Sequence, residues 1–209
     1  MKNKERIQTI TGLSILIGLA IALSFMSNYV KFGPVEINLG LIVIVIAACI
    51  YGPIGGAVIG FVNGVIMIFA PGTLTVFMPY NPLVTILLCI TKTTVAGIVS
   101  GLIFKLLSKK KDFLASVLSS IVVPIVNTGI FIIGATLFFL NIEFWQGSFT
   151  KMITSILTIN FLIEFASIVI LSPVIYRIIK VITTKMNENR ASAEKEAYEE
   201  EVDRIEEEN

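Results

Sequence analysis

Residues 82–111 read PLVTILLCITKTTVAGIVSGLIFKLLSKKK, an apolar run with one charge, Lys92, before a lysine cluster at its far end. A run of this length crosses a hydrocarbon core of about 30 Å as a single helix. At about 1.5 Å of rise per residue, Lys92 lies roughly 15 Å along it, near the middle. An ammonium at that depth costs at least about 2.5 kcal/mol on insertion scales. It therefore needs a partner, a water-filled cavity or a charged ligand.

The rest of the chain repeats the pattern. Its 209 residues are 55% hydrophobic and 15% charged, and the mean hydropathy is +0.88. These values describe an integral membrane protein. Long unbroken apolar runs exclude a bilayer β-barrel, whose strands alternate over about ten residues. The expected fold class is all-α, a bundle of six transmembrane helices with spans at 8–26, 37–51, 54–70, 83–107, 113–140 and 150–179. The second and third are short and meet at Gly52-Pro53, a strong break, so they form a tight hairpin. Gly55, Gly56, Gly60 and Gly64 let its second helix approach neighbours closely.

Orientation follows from the bases beside the spans. Lys2, Lys4, Arg6, Lys105, Lys109, Lys110, Lys111, Arg177, Lys180 and Lys185 collect on one side, against Lys31 and Lys151 on the other. The positive-inside rule makes both termini cytoplasmic. Residues 27–36, 71–82 and 141–149 then face outward. Of these, 71–82 carries no charge and three prolines, which suits an ordered loop lying on the protein or the membrane surface. The first segment also has the basic start and apolar run of a signal peptide; its length favours an uncleaved span. Residues 1–182 are read as the membrane domain and 183–209 as an acidic cytoplasmic tail, which holds ten acids against four bases. That tail is either solvated or a docking helix for a cytoplasmic partner.

Few polar side chains are expected at depth: Asn63, Lys92, Asn127, Asn160 and Glu164. Asn81, Thr85 and Lys92 share one helix face, as do Asn160, Glu164 and Ser167. Glu164 reaches about the depth of Lys92. Either the two charges neutralise each other and hold the bundle together, or at least one meets a ligand in a water-accessible pocket. In the second case a small carboxylate or zwitterion with hydroxyl or amide groups fits the donor and acceptor set. The sequence has no histidine, and its cysteines, Cys49 and Cys89, lie in apolar runs. Nothing suggests a nucleophile with its base, a metal cluster, a phosphate loop or a cofactor. A basic soluble surface for nucleic acid is also missing. The chain is read as no enzyme; what remains is recognition or transport. On the first span Ser14, Gly18 and Ala22 recur every four residues, a small-residue stripe that suits ordinary packing within this chain or another membrane helix.

The segments INLGLIVIVIAACIYGPIGGAVIGFVNGVIMIFAPGT, NPLVTILLCITKTTVAGIVSGLIFKLL and NFLIEFASIVILSPVIYRIIK together resemble the substrate-binding S components of energy-coupling factor transporters. The resemblance implies a six-helix subunit of a prokaryotic plasma membrane importer that binds one vitamin-sized molecule from outside. It further implies a membrane coupling subunit, EcfT, and two ATP-hydrolysing subunits as partners. In that family the first helix meets EcfT through an AxxxA motif; the matching positions here are Ser14, Gly18 and Ala22, with one alanine among them. The resemblance is strongest to pantothenate-type members, and pantothenate suits Lys92, Asn81, Asn160 and Glu164, with Asn127 and Thr85 nearby. Folate, biotin, riboflavin or a similar vitamin is the alternative substrate. The rival functions are a stand-alone proton-coupled secondary transporter and a membrane scaffold that recruits a partner through its tail.

Overall fold

The computed structural model describes residues 2–27, 31–32, 35–36, 38–109, 111–143, 146–156 and 161–207. The helices are α1 (Lys2–Ser27), α2 (Gly40–Ile68), α3 (Pro82–Leu107), α4 (Asp112–Phe138), α5 (Phe149–Ser155) and α6 (Leu162–Glu207), with a π-helical turn at Thr73–Phe77. Between α1 and α2, β1 (Lys31–Phe32) and β2 (Val35–Glu36) form a two-residue antiparallel pair in which Lys31 faces Glu36. Among the described residues five helices are long and apolar enough to cross a membrane: Arg6–Ser27, Gly40–Ile68, Pro82–Leu107, Asp112–Phe138 and Leu162–Ser192.

The expected spans 37–51 and 54–70 are one element, α2, folded on itself. Gly52 adopts φ 71° and ψ −163° inside it, a conformation open to glycine and strained for other residues. Pro53 then starts the second half with its fixed φ. An uninterrupted helix would hold Gly40 and Asn63 about 35 Å apart. Instead, a Cβ at Gly40 would overlap the Asn63 side chain. The halves, 40–51 and 53–68, therefore lie antiparallel, and at about 18 Å and 24 Å each is shorter than a typical hydrocarbon core.

Of the expected sixth span, 150–179, the structure describes 150–156 and 161–179, both helical, and 157–160 lie outside the described residues. Ser148 caps α5 by accepting from the Lys151 N–H at 3.4 Å, α5 ends at Ser155, and α6 begins at Leu162. From there α6 continues for 46 residues, so the acidic segment extends it as helix as far as Glu207. Between Pro173 and the end of the chain no glycine or proline interrupts it.

The second half of α2 and α3 make the tightest contact. Gly56 lies against the Gly97 carbonyl, Gly60 against Thr93 and Gly64 against Ile90, so the two backbones meet along one seam. In a bilayer, where apolar surface gains nothing by leaving lipid, such close approach is the main source of helix association. Hydrogen bonds add to it between α3 and α4. Ser100 Oγ donates to the Ser119 carbonyl at 3.0 Å, and Ser119 Oγ returns the bond at 3.1 Å. A dry core of Leu41, Ile44, Val45, Ile59, Val123, Ile168 and Ile175 joins α2, α4 and α6. Outside it, Leu87, Leu106, Ile133, Leu137 and Ile170 point away from the bundle, as lipid-facing residues do.

These contacts fix the levels of the helices. On the α3–α4 pair, Gly134 meets Leu88 and Ser119 meets Ser100, so the helices run antiparallel and Lys92 stands level with the turn holding Asn127 and Phe131. At the start of α4, Phe113 packs edge-on against Tyr176 of α6, with ring centres 5.3 Å apart. Counting back along α6 brings Glu164 level with Asn127.

Candidate functional site

The polar side chains converge on the end of the bundle where α1 finishes. On α3, Lys92 is half-buried. Its Nζ sits 4.8 Å from the centre of the Phe131 ring, where the negative face of the ring attracts a cation. Phe131 is met edge-on by Phe77 at 5.5 Å, and Phe77 meets Phe139 in the same way at 5.3 Å. Tyr80 lies 6.1 Å from Phe139. The uncharged segment after α2 thus plants its aromatic residues over the end of the α3–α4 pair where Lys92 stands.

Glu164, in the first turn of α6, is 8% exposed. The backbone N–H of Asn38 and the charge of Lys92 both act on its carboxylate. Among the described residues no direct ion pair joins the two. The arrangement keeps an ammonium and a carboxylate in each other's field without spending either on the other.

Behind Glu164 lies a hydrogen-bonded layer. Asn63, fully buried, accepts from Ser24 Oγ at 3.3 Å through Oδ1 and donates from Nδ2 to Asn38 Oδ1 at 3.5 Å. Asn38 Oδ1 also accepts from the Gly40 N–H at 3.0 Å. Ser27 Oγ accepts from the Leu39 N–H at 3.0 Å and donates to the Leu23 carbonyl at 2.9 Å. The end of α1, both ends of the α2 hairpin and the start of α6 are joined here.

Asn127 is 5% exposed, and its Oδ1 is buried without a hydrogen-bond partner. Asn81 and Thr85 are occupied by the backbone of α3. Asn81 Oδ1 accepts from the Val84 N–H at 3.2 Å as the N-cap, and Thr85 Oγ1 donates to the Asn81 carbonyl at 2.8 Å. Asn160 lies outside the described residues. The structure therefore puts Lys92 and Glu164 in each other's field, sets Asn127 one helical turn from the Phe131 ring that carries Lys92, and sets Asn81 and Thr85 at the start of α3. Sequence reasoning missed Asn38, Ser24, Ser27, Phe77 and Phe131 as parts of this region. A usable signal existed for three of them, since Ser24, Ser27 and Asn38 flank the loop between the first two apolar runs.

Ser14, Gly18 and Ala22 all lie on the exposed face of α1. Ser14 Oγ donates to the Ile10 carbonyl at 2.9 Å, and a Cβ at Gly18 would meet nothing within 4 Å. Among the described residues nothing packs against the stripe at its central residue, and Leu16, Ala20 and Ser24 face inward.

Among the described residues no group of three or more His, Cys, Asp or Glu side chains is placed to hold a metal ion. The family model described as ECF transporter, substrate-specific component, matches residues 9–178. No curated protein and no solved structure matches the chain.

Proposed function

We propose that this chain, which belongs to the ECF transporter substrate-specific component family, captures a small water-soluble vitamin bearing a carboxylate, with pantothenate the first candidate. As a multi-pass membrane protein of that family it is the substrate-specific subunit of an importer, and hydrolyses nothing itself. The observation that carries the proposal is Lys92: half-buried on an aromatic face, near a buried carboxylate, and not ion-paired with it. Such an ammonium attracts a ligand carboxylate more strongly than it would in water, because the surroundings screen it less. Lys92 takes the carboxylate, while Asn127, Glu164 and Asn160 take hydroxyl or amide hydrogens. Asn81 and Thr85 hold the entrance by fixing the start of α3.

Taking the two halves of α2 separately beside α1, α3, α4 and α6, and leaving out the short α5, supports reading residues 1–182 as a six-helix bundle. The excess of Lys and Arg beside one end favours cytoplasmic termini and an outward-facing site in a prokaryotic plasma membrane, with residues 183–209 as the acidic cytoplasmic tail. The open stripe of Ser14, Gly18 and Ala22 serves the coupling subunit EcfT, which works with two ATPase subunits.

Thermal stabilisation of the purified protein across a panel of water-soluble vitamins tests the substrate. A carboxylate vitamin, pantothenate first, is expected to raise the melting temperature, and a flat response to every carboxylate removes the reading. Lys92→Ala is expected to abolish that shift; wild-type affinity in this variant would remove Lys92 from the site.

A further inference from the structure

We infer that Asn127 is a specificity-determining residue whose Oδ1 accepts a hydrogen bond from an O–H or N–H of the bound molecule. The site then selects carboxylates that carry a neutral hydrogen-bond donor over plain carboxylates. This rests on the carboxylate reading above and deepens it.

One buried acceptor, Asn127 Oδ1, has no donor among the described residues. Asn127 Oδ1, Thr94 Oγ1, Ser116 Oγ and Gln8 Oε1 are the buried side-chain atoms without a partner among the described residues. The two hydroxyls are easily satisfied, because a serine or threonine rotates to donate to the carbonyl one turn back. Ser120 does so to Ser116 at 2.7 Å, and Thr136 to Ile132 at 2.8 Å. Rotating a proton onto a backbone carbonyl is not open to the amide oxygen of Asn127. It accepts only, and it stands within the 27 residues of α4, where the backbone N–H groups are already bonded along the helix. Its donor has to come from outside α4. Gln8 differs again, since it lies near the start of α1, far from this layer.

Position supplies the second half of the argument. Asn127 is one helical turn from Phe131, so the two side chains are neighbours on one face of α4. Phe131 carries the Lys92 ammonium on its ring, and Glu164 stands at the same level on α6. A molecule whose carboxylate meets Lys92 therefore presents the atoms a few bonds further along to Asn127. A hydroxyl or amide N–H there completes the unfilled bond. An alkyl group there leaves it unfilled and also shuts out water.

The test is a cycle between protein and ligand. Asn127→Leu is compared with wild type for binding of pantothenate, or of whichever carboxylate vitamin in the panel stabilises the protein best. Analogues of that vitamin with one hydroxyl removed or the amide N–H methylated complete the cycle. Wild type is expected to lose about tenfold in affinity for one analogue, the scale of one buried hydrogen bond. Asn127→Leu is expected to lose about the same for the parent compound, with no further loss for that analogue. Its ligand-free melting temperature is expected to equal or exceed wild type, because an unsatisfied polar atom has been removed. A structural role for Asn127 would instead lower it. Unchanged binding by Asn127→Leu, additive losses, or a lowered ligand-free melting temperature each overturn the inference and leave the carboxylate reading intact. A panel in which no carboxylate binds overturns both.

Discussion

Gly97→Ala is the sharpest test of how the bundle is held together. The added Cβ would land on the carbonyl of Gly56, and it would also lie 3.1 Å from the Gly56 Cα. All the opposing atoms are backbone, so no rotamer change relieves the overlap. The second half of α2 and α3 must part by roughly 1 Å to restore ordinary contact, and a gap of that size forfeits a quarter to a half of the dispersion attraction between facing atoms. The loss is shared along the seam, because Gly60 against Thr93 and Gly64 against Ile90 belong to the same interface. Overpacking costs about 1–3 kcal/mol, and the rigidity of both partners sets this case at the top of that range. For a chain of this size that corresponds to a melting temperature lowered by roughly 6–12 °C. The assay is thermal unfolding of the ligand-free protein in detergent, with Gly18→Ala as the matched control. At Gly18 an added Cβ meets nothing within 4 Å, so the control is expected to melt with wild type. If Gly97→Ala melts with the control, close backbone approach is not what holds α2 to α3.

Three further outcomes follow from the same contacts. Asn63→Ala leaves Ser24 Oγ without its acceptor and removes one of the two donors to Asn38 Oδ1. It is expected to cost about 1–3 kcal/mol, and adding Ser24→Ala should cost less than the two separate effects together in a thermal double-mutant cycle. Gly18→Leu fills the open stripe on α1; co-purification with the coupling subunit is expected to fail while vitamin binding persists. Replacing both Ser100 and Ser119 by alanine removes the reciprocal bonds between α3 and α4. Stability is expected to fall by about 0.6 kcal/mol for each bond on the scale of interhelical bonds in membranes, which thermal unfolding reads as a lowered melting temperature.

The periodic parts of the fold were legible because each reflects a local rule. Gly52-Pro53 announces a break, and Gly52 does take a backbone conformation that suits glycine. The glycines after it announce close approach, and they do meet another backbone. Which backbone they meet was not legible, since Gly97, Thr93 and Ile90 look like any stretch of an apolar helix.

For the site, depth could be read and contact could not. Counting residues puts Lys92 and Glu164 at a similar level, but the choice between an ion pair and a shared field depends on helix register. That register is set by small contacts that involve neither charge, such as Leu88 on Gly134 and Ser100 on Ser119. Asn81 shows the opposite error of emphasis. An asparagine before a proline at the start of an apolar run is an N-cap signal, and its side chain is indeed held by the Val84 N–H. Asn38 carries no comparable mark, because what it gives Glu164 is a backbone N–H, which every residue but proline possesses. The carboxylate thus faces a group that leaves no trace in residue type. Lys92 is fixed by an aromatic ring, Phe131, that the sequence shows only as one of many. A lysine held by a ring keeps its charge unspent, and that is the property a carboxylate-binding site requires.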